Sequence, residues 1–349
     1  MKTIVLVGKV LSPTLKSDIA SGAVPRVVSL ELARILGAEV LDYRDVAKAT
    51  EPAVLAARIR SPAWGLAVLA AVRRDRYQAV FATGEDVAIP LAFVLKALRV
   101  RRRLTVVVHN GGALSRRASF PLLGRDAWSH LICLSDEQQR ILVEQLGDDS
   151  GLIHRLDKWV DTDFFDPGRA DAEDGQGYVF SCGREKRDYG TLQRAAEKVP
   201  YPLWVVASGW WPQRGFRPFE GLIPTANMRV DQGTLSFSQL RAAYAGARFV
   251  VVSLEAVGYA AGVSTIFEAL AMGKAVVATA SPGIAEFVED QVNGLVVPTG
   301  DADSLAAAID ELWNDPARCE DMGRRNRRLA EEAFSFDGHV SAVVDLITA

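Results

Sequence analysis

The chain has 349 residues, more than one hydrophobic core usually serves, so two domains of ordinary size are expected. Hydrophobic residues make up 49% and charged residues 24%, which is the composition of a globular protein, and the net charge of -3 gives no reason to expect a nucleic-acid partner. The three cysteines, Cys133, Cys182 and Cys319, are widely spaced, which predicts neither a disulfide framework nor a zinc site and fits a reducing cytoplasm.

The first half of the chain alternates short apolar, β-branched segments with longer amphipathic ones, a pattern typical of parallel sheets covered by helices. A helix is predicted over 26–36, ending at Gly37, and another begins after Ser135, whose side chain can cap it. The predicted strands of this half are 3–7, 39–43, 79–82, 104–109 and 130–134.

The pattern breaks between residues 161 and 175, where acidic residues, proline and glycine cluster. We place a domain boundary there, giving Rossmann-like α/β domains over 1–163 and 164–336, with 337–349 packing back on the first. The second domain has predicted strands 178–182, 203–207, 249–252, 275–278 and 294–297. Parallel sheets bind ligands beyond the carboxyl ends of their strands, so the site is expected in a central cleft that the two domains face.

No segment predicts a membrane span. The amino-terminal apolar run is too short for a signal peptide, and the longest apolar stretch, 63–72, is about half of the roughly 20 residues that a span needs. Arginines at 99, 101, 102 and 103, with those at 116 and 117, fit either an anionic lipid surface or a solvated helix end. We expect a cytoplasmic protein, with peripheral membrane contact left open.

A predicted anion site follows the strand 249–252. A helix is expected to begin within Gly262, Val263, Ser264 and Thr265, whose main-chain N–H groups would favour a phosphate at the helix N-terminus. Glu268, one turn further on, could accept both hydroxyl hydrogens of a ribose diol. The alternative for Glu268 is an acid favoured by the helix dipole alone.

This segment carries a resemblance to a known family. The sequence GVSTIFEALAMGKAVVAT, followed by PG, EFV, NGLVVP and a DxxxL helix, resembles the carboxy-terminal domain of the retaining GT-B glycosyltransferases of family 4, also called glycosyl transferases group 1. The resemblance covers roughly residues 179–336. It implies that Glu268 binds the nucleotide ribose as the second glutamate of an E-x7-E pair. The first glutamate, which would contact the donor sugar, is replaced by Ala260.

A second constellation, SCGREKRDYGTL over 181–192, follows the first strand of the second domain. Arg184, Lys186 and Arg187 place three cations at a strand's carboxyl edge, where they could neutralise a departing diphosphate without a metal. The resemblance implies a catalytic role for Arg184 and Arg187, since the family has an arginine after the glycine and a second cation nearby. A solvated charge run is the alternative.

The first domain offers candidates at the ends of its strands. His109 and Asn110 follow the strand 104–109 and precede two glycines, and the resemblance implies that His109 contacts the donor sugar or the reaction centre. The alternative is a histidine that bonds a loop carbonyl. Glu85 and Asn110 are candidates for binding an acceptor, although Glu85 also suits the first turn of a helix. Gly22 stands where the family has a glycine pair near the donor phosphates.

These features predict transfer of a sugar from a nucleoside diphosphate to an acceptor hydroxyl on a carbohydrate, a lipid-linked molecule or a small molecule. The resemblance implies retention of anomeric configuration, and neither a metal nor another cofactor is expected. Two alternatives stay open: a sugar-nucleotide epimerase of the same fold, and a non-catalytic nucleotide-sugar-binding partner, which the alanine at position 260 would suit.

Overall fold

The computed structural model describes residues 2–147, 151–170, 177–206, 223–256, 261–281, 284 and 287–349. The chain divides into two compact units. The first unit comprises Met1–Ala20, Arg26–Lys158 and Asp337–Ala349, and the second comprises Ser21–Pro25 and Trp159–Phe336. Each unit contains a six-stranded sheet with helices between its strands, so the chain has the α/β class that its alternating pattern predicts.

All neighbouring strands of the first unit are parallel. The strands are β1 Thr3–Leu6, β2 Glu39–Leu41, β3 Ala79–Ala82, β4 Arg103–Val108, β5 His130–Cys133 and β6 Ile153–Arg155, in the order β2-β1-β3-β4-β5-β6. The helices are α1 Leu15–Ala20, α2 Val28–Leu36, α3 Tyr43–Lys48, α4 Pro52–Arg60, α5 Pro62–Val72, α6 Glu85–Ala97, α7 Leu114–Leu123 and α8 Asp136–Leu146, joined by the carboxy-terminal α14 Phe336–Thr348.

The second unit repeats the parallel arrangement. Its strands are β7 Tyr178–Cys182, β8 Leu203–Val206, β9 Met228–Asp231, β10 Ala247–Val252, β11 Val276–Thr279 and β12 Gly294–Val297, in the order β12-β11-β10-β7-β8-β9. Its helices are α9 Tyr189–Ala196, α10 Phe237–Gly246, α11 Val263–Ala271, α12 Ala302–Asn314 and α13 Pro316–Glu332.

Strand β10 shows why the strands of the second sheet have uninterrupted apolar sequences. Val250 and Val252 belong to the core on one face of the sheet, and Phe249 and Val251 belong to the core on the other. A parallel strand covered by helices on both sides buries every side chain, so apolar residues run without alternation. The rigid sheet fixes the positions of the loops that leave its carboxyl edge.

The predicted helix signals around α2 and α8 are confirmed. Gly37 ends α2 in the left-handed conformation with φ 58°, which glycine adopts at little steric cost. Ser135 Oγ accepts the main-chain N–H of Gln138 at 3.4 Å and caps α8. No helix among the described residues combines the length and apolar character that crossing a membrane requires.

The two units meet in sequence near Lys158 rather than at the predicted residue 163. Val160 donates its N–H to Phe334 O at 2.9 Å and accepts from Phe336 N at 3.0 Å, which ties the segment after Lys158 to the second unit. Helix α14 is held in the first unit, where the His339 ring bonds Asp157 O at 3.1 Å.

Each sheet has a topological switch point, where successive strands are added on opposite sides. In the first unit β1 lies between β2 and β3, and in the second β7 lies between β8 and β10. Loops leaving the carboxyl ends of the two strands at such a point diverge and form a crevice for ligands. The loops after β1 and β3, and those after β7 and β10, are therefore the places to look for a site.

Candidate functional site

The loops after β7 and β10 are hydrogen-bonded to each other. Asp188 donates its N–H to Ser253 O at 3.0 Å, and Ser253 Oγ donates back to Asp188 O at 2.5 Å. The N–H of Glu255 donates to Lys186 O at 2.9 Å, and Arg187 forms an antiparallel bridge with Leu254. The two loops at the second switch point therefore form one small ladder, which fixes the charged residues they carry.

Arg187 is buried within this ladder, with 5% of its surface exposed. Its Nε donates to Cys182 O at 2.9 Å, Nη1 donates to Glu185 O at 3.2 Å, and Nη2 donates to Thr265 Oγ1 at 2.7 Å. Three of the five N–H groups of the guanidinium are thus used inside the unit. Arg187 links the end of β7 to the first turn of α11.

Two glycines make room for the Arg187 guanidinium. Gly262 has φ 75°, and a Cβ at that position would lie 2.8 Å from Arg187 Nη1. Gly183 has φ 114°, and a Cβ there would also meet the guanidinium. A side chain at either position would therefore meet both backbone strain and a steric clash. Gly262 was predicted as part of a phosphate site at the helix N-terminus, and contact with Arg187 is a further reason for a glycine there.

The other two predicted cations differ in exposure and pairing. Lys186 Nζ lies 3.4 Å from Glu255 Oε2, and both side chains are exposed. Lys186 also has φ 53°, an uncommon backbone conformation for a residue with a side chain. Arg184 is half-buried and makes no hydrogen bond or ion pair in the part of the chain that the structure describes. Arg184 is consequently the cation of this loop whose guanidinium is available to an anion.

Helix α11 begins as an anion site requires. The N–H groups of Thr265 and Ile266 donate to Gly262 O at 3.1 and 3.3 Å, closing the first turn. The N–H groups of Val263 and Ser264 come before these bonds and lie at the positive end of the helix dipole. Ser264 is exposed, so the start of the helix is accessible to a ligand such as a phosphate.

Glu268 lies one turn into α11, where its carboxylate has a single described partner. Tyr244 donates its hydroxyl hydrogen to Glu268 Oε2 at 2.8 Å, and Oε1 accepts no hydrogen bond from any described residue. Burial raises the pKa of Glu268 to about 7, although the Tyr244 hydrogen bond and the charge of Arg187 act in the opposite direction. The carboxylate thus keeps lone pairs for a ligand.

Ala260, which occupies the position of the family's first glutamate, lies outside the described residues. Glu255, the nearest carboxylate upstream, pairs with Lys186 at the surface.

Tyr244 was not predicted as a site residue. It is a buried aromatic residue of α10, and nothing in its local sequence distinguishes it from an ordinary core tyrosine.

In the first unit, Glu85 organises the loop after β4. Its side chain is 3% exposed; Oε2 accepts the N–H of His109 at 2.9 Å and Oε1 accepts that of Asn110 at 3.1 Å. Arg116 Nη1 lies 3.0 Å from Oε1. The carboxylate predicted to bind an acceptor is therefore engaged by main-chain donors and a cation, and it holds the His109 backbone in place.

His109 and Asn110 are exposed at the carboxyl end of β4. The His109 Nε2 bonds Thr83 O at 2.9 Å. A carbonyl oxygen can only accept, so Nε2 carries a proton and Nδ1 of the neutral ring is the nitrogen that can accept from a ligand. Gly22, with φ 72°, is exposed, and a Cβ added there would meet no atom within 4 Å. The structure thus brings His109, Asn110 and Glu85 together at one loop.

The described residues contain no group of three or more His, Cys, Asp or Glu side chains that could hold a metal ion. The three cysteines are buried and free.

Part of the chain is similar in sequence to known glycosyltransferases. Residues 220–315 match the family described as glycosyl transferases group 1. Over 60 residues the chain is 38% identical to O-antigen chain mannosyltransferase C of Escherichia coli, a segment that makes up 17% of this chain. The match spans only 16% of the length of that relative.

Solved structures resemble the chain over nearly its whole length. A glycosyltransferase from Rickettsia africae ESF-5 has a TM-score of 0.70 at 16% identity, covering 99% of this chain and 98% of that one. HepE of Anabaena in complex with UDP-glucose has a TM-score of 0.69 at 14% identity, covering 100% of both. An α,α-trehalose 6-phosphate synthase from Burkholderia multivorans has a TM-score of 0.72 at 12% identity, covering 100% and 98%.

At these low identities the structural likeness shows the fold, which is that of the GT-B glycosyltransferases. The fold class predicted from sequence is thereby confirmed. The family match adds that residues 220–315, which include α11 and Glu268, are similar to a glycosyltransferase domain. Together these findings show the GT-B fold and a sequence similarity to glycosyl transferases group 1 over residues 220–315.

Proposed function

We propose that this protein transfers a sugar from a nucleoside-diphosphate sugar to an acceptor hydroxyl, with retention of anomeric configuration. The observation that carries the proposal is the arrangement at the start of α11. Open main-chain N–H groups, the available Arg184 and a carboxylate with unused lone pairs lie on elements that leave one switch point. A diphosphate needs the first two, and a ribose diol needs the third.

The nucleotide is assigned to the second unit. Glu268 accepts the two ribose hydroxyl hydrogens, and the N–H groups of Val263 and Ser264 bind the diphosphate. Arg184 and Lys186 neutralise its charge, and Arg187 holds the ladder and contributes its positive charge close to the same helix end. The complexes of HepE with UDP and with UDP-glucose support a nucleotide-sugar donor for this fold.

The proposed reaction breaks the bond between the anomeric carbon and the diphosphate oxygen. The acceptor oxygen forms the new bond to that carbon on the same face, and the leaving diphosphate takes the acceptor's hydroxyl proton. The products are the glycoside and a nucleoside diphosphate. Cationic side chains and helix N–H groups stabilise the charge that grows on the leaving group, so no metal or other cofactor is assigned. We also assign no carboxylate as a nucleophile, so the proposed reaction does not pass through the covalent glycosyl-enzyme intermediate of retaining glycosidases.

Acceptor binding is assigned to the carboxyl edge of the first unit's sheet. Asn110 offers the acceptor an exposed amide side chain. His109 is assigned to the reaction centre, where its Nδ1 can accept a hydroxyl hydrogen of the donor sugar or of the acceptor. The acceptor class is a carbohydrate, a lipid-linked molecule or a small-molecule hydroxyl. The free buried cysteines fit a reducing cytoplasm, which we propose as the site of action, with peripheral membrane contact in the case of a lipid-linked acceptor.

The proposal is tested by incubating the protein with UDP-glucose, GDP-mannose and ADP-glucose, each with and without a panel of hydroxyl acceptors. Release of nucleoside diphosphate that depends on an acceptor, together with a new glycoside of the donor's anomeric configuration, is the expected result. An isomerised donor formed without acceptor would instead indicate an epimerase. Tight binding with neither product would indicate a non-catalytic binding protein, and an inverted product would overturn retention.

A further inference from the structure

We infer that Tyr244 is a positioning residue for the nucleotide site, because its buried hydroxyl holds Glu268 in the orientation and ionisation state that a ribose diol requires. This inference rests on the proposed function of the second unit. It adds a residue of α10, outside the resembling motifs, and gives the site a pH dependence set by one hydrogen bond.

The geometry of Tyr244 leaves its hydroxyl little freedom. The residue is completely buried, and its ring packs edge-on against Phe180 with centroids 5.1 Å apart and against Phe165 at 6.2 Å. Its hydroxyl lies 2.8 Å from Glu268 Oε2 and 3.1 Å from Cys182 Sγ. A phenol has one hydrogen, so if Tyr244 donates it to the carboxylate, the phenol oxygen can accept the single thiol hydrogen of Cys182, whose Sγ lies farther, at 4.0 Å, from its other neighbour Thr265 Oγ1.

Cys182 is suited to that role. Burial raises the pKa of its thiol to about 12, so the sulfur keeps its hydrogen at neutral pH. Burial likewise raises the pKa of the Tyr244 phenol well above its ordinary value, so the phenol also stays protonated. A chain of donors can therefore run from Cys182 through Tyr244 to Glu268, and the Tyr244 hydrogen bond favours the ionised carboxylate.

The hydrogen bond to Glu268 Oε2 also fixes the position of the other carboxylate oxygen, Oε1. With Oε2 held by Tyr244, the carboxylate cannot rotate without breaking a buried hydrogen bond. When ionised, it has lone pairs on both oxygens to accept two hydroxyl hydrogens. When protonated, one acceptor position becomes a donor and the pair of diol hydrogen bonds is lost.

Three ionisable groups act on the charge of Glu268, and they come from different elements. Tyr244 on α10 and Arg187 after β7 both favour the ionised carboxylate, and Cys182 on β7 acts through Tyr244. Because the Glu268 pKa is about 7, affinity for a nucleotide sugar should rise as the pH rises through 7 and level off above it. Loss of the Tyr244 hydrogen bond raises the Glu268 pKa, so the midpoint moves to higher pH.

The test compares Tyr244→Phe with wild-type protein by calorimetric titration of UDP-glucose, GDP-mannose and ADP-glucose from about pH 6 to about pH 8.5. Sugar nucleotides lack the phosphate monoester that titrates near pH 6, so the ligand contributes no such step. Tyr178→Phe is the matched control, since Tyr178 donates its hydroxyl to a main-chain carbonyl, Ala243 O, at 2.7 Å in the same unit.

We expect the midpoint of the Tyr244→Phe profile to rise by about one to two pH units, the shift that one hydrogen bond to a charged group corresponds to. At pH 7 the affinity should fall by about five- to fiftyfold, and at the high end of the range by much less. Tyr178→Phe should keep the wild-type midpoint. A donor with 2′-deoxyribose should bind wild-type protein with little pH dependence.

The outcomes separate this inference from the function on which it rests. A pH-independent loss of affinity in Tyr244→Phe, or an unchanged midpoint, would show that the tyrosine only packs, and the inference would be wrong while the nucleotide site stands. If wild-type protein binds none of the three sugar nucleotides at any pH, the proposed function is wrong and the inference falls with it. Thermal unfolding of both variants checks that each is folded.

Discussion

The loop after β4 in the first unit and the ladder after β7 and β10 in the second are each organised by one buried charge of opposite sign. Glu85 accepts the N–H groups of His109 and Asn110, so those main-chain donors are already used. Arg187 donates to carbonyl and hydroxyl oxygens, and it leaves the N–H groups at the start of α11 open. The main-chain N–H groups of His109 and Asn110 are therefore already hydrogen-bonded within the protein, whereas those at the start of α11 are available to a ligand.

The unused hydrogen-bonding groups of each unit indicate which kind of ligand that unit can bind. An anion needs N–H groups and positive charge, and the second unit provides both at the helix start and at Arg184. The first unit offers an accepting ring nitrogen on His109 and an amide on Asn110, which suit a neutral, hydroxyl-bearing ligand. The assignment of donor and acceptor to the two units therefore follows from where hydrogen-bond capacity is left over.

The largest effect is expected from Arg187→Ala. The change removes three hydrogen bonds and leaves buried acceptors, among them Thr265 Oγ1, without their charged donor. We expect the free energy of unfolding to fall by about 3 to 5 kcal/mol, measured from urea unfolding.

Arg184→Ala is the matched control for stability. Its guanidinium has no partner among the described residues, so unfolding should change by no more than about 0.5 kcal/mol while sugar transfer is lost or much reduced. Equal stability losses in the two variants would contradict the division between a buried organising arginine and an available one.

A smaller effect, on binding rather than folding, is expected from Glu268→Ala. Loss of the diol contacts should weaken binding of the nucleotide sugar by about 1.5 to 3 kcal/mol, the range for hydrogen bonds to charged groups. Calorimetric titration measures it, and Glu320→Ala on the exposed side of α13 provides the control. Unchanged affinity in folded Glu268→Ala would remove the ribose assignment.

Most of the fold could be predicted because the strands that carry the core are apolar and continuous. The two strands that were not predicted are β6, with the sequence IHR, and β9, with the sequence MRVD, which lie at the sheet edges. Each is short and contains charged or polar residues, so neither has the local pattern that marks a buried strand. Edge position allows that composition, and only the assembled sheet reveals it.

The site was predictable only in part, because sequence places residues along the chain and not the direction of their side chains. Arg184 and Arg187 are three positions apart in one charge run, yet one is available and the other is buried against Gly262. From the sequence alone, Glu85 suited an acceptor site as well as it suited the first turn of a helix. Which charge turns inward depends in part on partners that are distant in sequence, such as Thr265 Oγ1 for Arg187 and the N–H of His109 for Glu85.

Buried Glu85 and half-buried Glu268 should respond oppositely to loss of charge. Glu85→Gln places an amide NH₂ against a main-chain donor and should destabilise the protein by about 1 to 3 kcal/mol. Glu268 has a pKa raised to about 7, so its native carboxyl opposes folding increasingly as the pH rises from its ordinary pKa to 7. Glu268→Gln should therefore stabilise by about 1 to 3 kcal/mol at pH 8.

Urea unfolding at about pH 5 and about pH 8 tests this opposition. The gain from Glu268→Gln should disappear at the lower pH, because the native carboxyl is then protonated. The loss from Glu85→Gln should exceed that from Glu144→Gln, an exposed glutamate of α8. A destabilised Glu268→Gln at the higher pH would mean that the site carboxylate is as fully satisfied as Glu85.

The smallest effect separates backbone strain from crowding around Arg187. Gly262 and Gly300 both have positive φ, 75° and 78°, but a Cβ at Gly262 would lie 2.8 Å from Arg187 Nη1, whereas a Cβ at Gly300 would meet open space. Each alanine variant should lose about 1 kcal/mol to the backbone conformation. Gly262→Ala should lose roughly a further 1 kcal/mol in urea unfolding through the clash. Equal losses would mean that the guanidinium can move aside, and Arg187 would then be a less rigid support for α11 than its three hydrogen bonds indicate.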